Sequence, residues 1–159
     1  MPNKVIPMTA VWIAGRALAG GAPSTVLPGG IQVLLEGGRL EIRERGKTVF
    51  SMKKCSAKGA NLVIDYPHTI EGQEGRGWGI LAMLIALYYG LSSGCTNIEL
   101  GSQIENTHAS TSFWGKFGIA NMLHNSLHGA LDHGIRWVLT NCPQRAPEYT
   151  DLVIRQGHG

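Results

Sequence analysis

The run from Ile80 to Leu91 carries no charged residue, and directly ahead of it stands Glu74-Gly75-Arg76-Gly77-Trp78-Gly79. Its apolar residues Ile80, Leu81, Met83, Leu84, Ile85, Leu87, Tyr88 and Tyr89 fall on nearly every side of a helix. A helix of that kind must be buried on most of its surface, packed against a sheet. It is too short to span a bilayer, which needs about 18 or more apolar residues. The alternate glycines Gly75, Gly77 and Gly79 free the backbone to turn its N–H groups toward one point, and the following helix adds its positive N-terminal end. The turn therefore suits an anion such as a pyrophosphate. The plain alternative is a buried helix entered by a flexible turn.

The rest of the chain supplies the sheet. Ile31 to Leu35, Arg39 to Arg43 and Lys47 to Met52 read as strands, punctuated by Gly37-Gly38 and Arg45-Gly46. Asn61 to Tyr66 adds a further strand before a long turn at Pro67 to Gly75, and Asn97-Ile98-Glu99-Leu100 is another. A second helix is expected over 119–134, then strands at Ile135 to Thr140 and Asp151 to Arg155. Residues 1–30, with Pro2, Pro7, Pro23 and Pro28, form an atypical N-terminal arm with a short helix around Ala10 to Ala19. A meander followed by helix, strand and helix gives an α+β class, an α/β sandwich, in a single domain spanning 1–159.

Charged residues make up only 16% of the chain, glycines number 22, and the formal net charge is +3 without a Lys/Arg cluster. A basic nucleic-acid-binding face is not indicated, although a mildly cationic surface helps an anionic ligand approach. Cys55, Cys95 and Cys142 are scattered without metal spacing, which points to reduced thiols and a cytoplasmic location. Lys4 ahead of Val5 to Gly15, with Ala17-Leu18-Ala19, has the outline of a secretory signal, but Arg16 and Pro7 break it. His124, His128 and Asp132 recur every four residues on one helix face; a solvated polar face explains them better than a metal site, since no catalytic Glu stands beside the first His.

Taken in order, Arg76-Gly77-Trp78-Gly79, the helix, the strand at Asn97, Asn106 and the stretch Trp114 to Ile119 resemble the signature of the GNAT superfamily of acyl-CoA-dependent N-acyltransferases. That signature runs Gln/Arg-x-x-Gly-x-Gly/Ala, helix, strand, Asn, helix and a Tyr-x-x-x-Gly-Phe-like end. Glu74 stands where it has Gln or Arg, and Trp114 stands where it has the Tyr that often acts as general acid. The resemblance implies a mixed, mostly antiparallel sheet flanked by helices, with acetyl-CoA as cosubstrate. Arg76, Gly77, Trp78, Gly79 and Ile80 would hold its pyrophosphate, and Asn106 its pantetheine arm. The acceptor would be a primary amine on a small molecule, a protein or an aminoacyl-tRNA; a homodimer is compatible with it. A non-catalytic GNAT-like binding module acting on a partner protein is the alternative.

Direct attack by a lysine-like amine requires it to shed a proton whose pKa is about 10.4, a cost near pH 7 of roughly 4–5 kcal/mol. A base in the approach to the turn would meet that need, and Glu71, His68 and Asp65 are the candidates. The indole of Trp114 has no proton to transfer, so an acid for the departing thiolate would come from His108, Ser110 or Ser112, or be dispensed with.

Overall fold

Glycine pairs interrupt alternating apolar runs through the first half of the chain, and each interruption becomes a hairpin. The computed structural model describes residues 3–101, 113–119, 125–141 and 151–155. Strands β3 (Ile31–Glu36), β4 (Arg39–Glu44), β5 (Lys47–Lys58) and β6 (Asn61–Thr69) form the expected antiparallel meander. The first hairpin closes at Gly37 and Gly38, whose φ values of 59° and 76° match the turn that follows the right-handed twist of paired strands. Inward residues Ile31, Val33, Leu40, Ile42, Phe50 and Met52 are almost wholly excluded from solvent.

Two strands that the sequence did not announce precede this meander in the chain. β2 (Ser24–Leu27) pairs antiparallel with β3 and forms one edge of the large sheet. β1 (Lys4–Pro7) pairs instead with β9 (Asp151–Ile154) in a separate two-stranded sheet. Between them α1 (Met8–Ala19) buries Val11, Ala14, Gly15 and Leu18.

Helix α2 (Trp78–Ser92) is buried from Ile80 through Leu87, as its uniform hydrophobicity demands. It packs on β4, β5 and β6 and is covered by α1. The crossing is close: a Cβ on Gly15 would stand 2.5 Å from Tyr88 Cβ. The helix stops at a paired cap, in which Cys95 N–H donates to Gly90 O (2.9 Å) and Gly94 N–H to Leu91 O (3.1 Å). The chain then enters β7 (Asn97–Leu100), parallel to β6. A β-strand, crossover helix and parallel strand are thus set into an otherwise antiparallel seven-stranded sheet of order β2-β3-β4-β5-β6-β7-β8, with β8 at Asn125–Ser126.

The region read as a strand from Ile135 to Thr140 is helical: α3 runs from Leu127 to Asn141. Leu127, Ala130, Leu131, Gly134 and Val138 are buried at helical spacing, and this stripe overrides the strand preference of Ile135, Trp137 and Val138. Ser126 Oγ accepts the Gly129 N–H at 3.1 Å and caps the start. His133, expected in an exit turn, lies within the helix.

Candidate anion-binding cleft at the entrance of helix α2

The turn after β6 reverses on local bonds. Gln73 N–H donates to Ile70 O (2.9 Å) and Gly72 N–H to a Glu74 carboxylate oxygen (2.9 Å). Glu74 is exposed and serves its own turn. Gly77 then takes φ 108° as the N-cap of α2, and no side chain caps the helix. An added Cβ there would meet Val153 O at 3.3 Å, so both the backbone angle and β9 require glycine. Gly79 does something different from what its spacing suggests. It lies inside the helix, and its missing side chain admits Phe113, whose Cε1 would be 2.9 Å from a Cβ.

Arg76 is buried, at 8% exposure, and its side chain works for the fold. Its Nε donates to Arg155 O (2.6 Å), its Nη1 to Gln73 Oε1, and its Nη2 faces Glu44 Oε1 at 3.3 Å. The guanidinium also stands 5.2 Å from the Trp78 ring centre, and the Trp78 indole N–H donates to Gln73 Oε1 (3.2 Å). Glu44 is held from its other side by Lys4 at 2.6 Å. Burial works against ionisation of Glu44, but Lys4 and Arg76 outweigh it and keep its pKa below the ordinary value.

The entrance opens into a cleft of about 540 Å³. Its walls are the first residues of α2, the β9 edge with Arg155, the 113–116 segment with Phe113 and Lys116, and the end of α3 with Trp137 and Asn141. No carboxylate lines it among the described residues. Arg76 is paired with Glu44, which it shares with Lys4, whereas Lys116 and Arg155 form no ion pair among the described residues. Lys116 Nζ rides over the Trp137 ring at 5.0 Å. Cations, an aromatic wall and the positive end of a helix together select for an anion with a flat apolar portion.

The expected phosphate-binding stretch from Arg76 to Ile80 lies along this cleft, with Trp78 and Ile80 themselves buried. Residues 116, 137 and 155 are its unforeseen members; they are far apart in the chain and share no local pattern. The candidate bases are elsewhere. Glu71 is exposed on the turn, and none of Asp65, His68 and Glu71 is part of the cleft wall. The reason is visible in β6. Tyr66 adopts φ 51°, the ladder skips it between Asp65 and Pro67, and the core-facing phase switches from Ile64 to Pro67 and Thr69. Thr69 borders the cleft; His68 alternates to the far side, where its ring stacks 6.2 Å from Tyr66. Asp65 sits where β6 and β7 part, beyond the last pair Ile64↔Leu100, and a Cβ on Gly101 would fall 2.2 Å from its Cγ.

Trp114 is buried edge-on to Phe113, with ring centres 4.9 Å apart, and packs. Asn106, His108, Ser110, Ser112, His124 and Cys142 lie outside the described residues. His128 and Asp132 are exposed on α3, and among the described residues no three ligands gather for a metal. Cys55 and Cys95 are free and buried, and desolvation pushes the Cys55 thiol up to about 12. Among the described residues no helix is long and apolar enough to cross a membrane. No protein-family model matches the chain, and no curated protein matches it.

Proposed function

We propose that the chain is a GNAT-like N-acetyltransferase that moves an acetyl group from acetyl-CoA to a primary amine in a ternary complex, in a reducing, cytoplasmic setting. The observation that carries this reading is the carboxylate-free cleft at the start of α2, where uncapped helix N–H groups, Lys116 and Arg155 face one space. A pyrophosphate with a nucleoside attached has the charge and the flat ring that such walls favour. The parallel β6-α2-β7 unit set in an antiparallel sheet supports the same reading. In the reaction the amine nitrogen attacks the thioester carbonyl, the carbon–sulfur bond breaks, a base removes the amine proton and the thiolate departs. Thiolate departure needs little help, since a free thiol has a pKa of about 8.5.

One observation favours a second reading, a non-catalytic binding module that keeps the cleft for a ligand and acts on a partner protein. Asp65, His68 and Glu71, the candidates for the base, lie off its walls. Calorimetry with acetyl-CoA followed by an acyl-transfer assay on amines separates the readings. Acetyltransferase activity requires saturable binding that Gly77→Asp abolishes and that Lys116→Gln and Arg155→Gln each weaken about tenfold, or 1.4 kcal/mol, together with turnover. Binding without turnover assigns the module. Wild-type protein that does not bind acetyl-CoA overturns both the cofactor and the enzyme.

A further inference from the structure

Strand β5 alternates Lys54, Ser56 and Lys58 with the inward residues Cys55 and Ala57. Period-two geometry therefore sets the two lysines and the serine in a row on the sheet face opposite α2. Beside that row lies the β3–β4 hairpin, tied in by the Cys55 N–H donating to Gly38 O at 2.6 Å. Because residues 37 and 38 are both glycine, the hairpin leaves room: a Cβ on Gly38 would still be 4.0 Å from Ser56 Cβ, and one on Gly37 would meet nothing within 4 Å. The result is an open recess of about 520 Å³ lined by the two glycines, Lys53, Lys54, Ser56, Lys58 and Asp65.

Two features of this recess are costly for a chain that uses it only as surface. Ser56 Oγ is shielded from solvent and makes no hydrogen bond among the described residues. A buried hydroxyl left in that state costs about 1–3 kcal/mol. Like charges are also gathered: three lysines and one aspartate line the recess, a net of +2 from these residues. Lys54 and Lys58 crowd closely enough that Lys54, through hydrogen bonding and then charge, lowers the pKa of Lys58, with Glu99 offsetting only part of the effect. Evenly spread surface charge does not behave this way; an anion between the two lysines would remove the repulsion and, once the Ser56 side chain rotates toward the recess, give the hydroxyl an acceptor.

We propose that the recess bounded by Gly37-Gly38, Lys54, Ser56 and Lys58 is a phosphate-binding site. A phosphate group offers several acceptor oxygens to two ammonium donors and one hydroxyl donor, and lysine serves such groups as a point charge. The site lies on the other face of the sheet from the α2 cleft, so it stands whether or not the cleft holds acetyl-CoA.

The test is site-resolved. Amide NMR spectra of the full chain are followed during titration with inorganic phosphate and, in a second arm, with a short single-stranded oligonucleotide. Saturable shifts at Gly37, Gly38 and Ser56 are expected in at least one arm. They should weaken about fivefold to tenfold in Lys54→Gln or Lys58→Gln and vanish in the double variant, while Ser56→Ala weakens binding less. Shifts with phosphate alone assign a small phosphorylated ligand. Shifts with the oligonucleotide that fade steeply with salt assign a nucleic-acid backbone. Absence of saturable shifts at these three residues in both arms, or shifts unchanged in the double variant, overturns the site. All substituted side chains but Ser56 are lysines on the strand's outward face, and the Gly77 amide reports independently on the intact cleft.

Discussion

Arg76 at the entrance of α2 and the lysine row on β5 are both cationic, but they are used in opposite ways. Arg76 is enclosed by acceptors, with Glu44, Gln73 and the Arg155 carbonyl each taking part of its fork. Lys54 and Lys58 crowd each other, and Glu99 offsets only part of their repulsion. A paired, buried cation fastens elements together, whereas crowded cations at a surface repel one another more than they bind the fold. The cleft repeats the distinction internally, with Arg76 as fastener and Lys116 and Arg155 as wall cations that form no ion pair among the described residues.

The largest effect that would break this comparison is expected from Arg76→Met. Removing the guanidinium leaves Glu44 with only Lys4 and leaves Gln73 and Arg155 O without their donor, a loss of about 3 kcal/mol. Urea denaturation measures it; a loss below about 1 kcal/mol would demote Arg76 to an ordinary surface charge. The same variant carries a pH signature. Because the folded-state pKa of Glu44 is lowered from 4.5, its contribution is present above that value and lost as pH falls through the folded one. Arg76→Met should flatten that acid limb of the stability curve.

A smaller loss, roughly 1–2 kcal/mol, is expected for Gly77→Ala, from the left-handed angle that alanine resists. Thermal denaturation that shows no change would mean that the turn relaxes away from Val153. Smallest of all is Lys58→Gln. Relieving its repulsion with Lys54 should leave the melting temperature unchanged or slightly higher, and a clear drop would show that Lys58 is a fastener after all.

The meander was legible because its turns are written in adjacent residues, Gly37-Gly38 and Arg45-Gly46, and α2 because its uniform hydrophobicity admits only burial. The four-residue strands β1 and β2 carry no such punctuation, and β1 exists through a partner that follows it by more than a hundred residues. Ile135, Trp137 and Val138 read as strand because a stripe of small and apolar residues beginning at Leu127 decides the matter from outside that window. At the site, the glycine turn was visible, but the role of Arg76 depends on Glu44 and Arg155, which are 32 and 79 positions away. The side taken by His68 was hidden too, because Pro67 reads as the start of a turn, whereas β6 runs on to Thr69 through the positive φ of Tyr66.

The pairing of β1 with β9 has a consequence for the order of synthesis. A ribosome releases β9 after every other described element, when the large sheet and helices α1 to α3 are already available to pack. Until then β1 lacks the neighbour it pairs with, Arg76 has no Arg155 carbonyl to receive its Nε–H, and the wall formed by Leu152 and Val153 is missing. A nascent chain that stops short of Asp151 thus holds all seven strands of the large sheet and no finished cleft. The cleft at the α2 entrance is therefore walled only after Asp151 to Ile154 have been made.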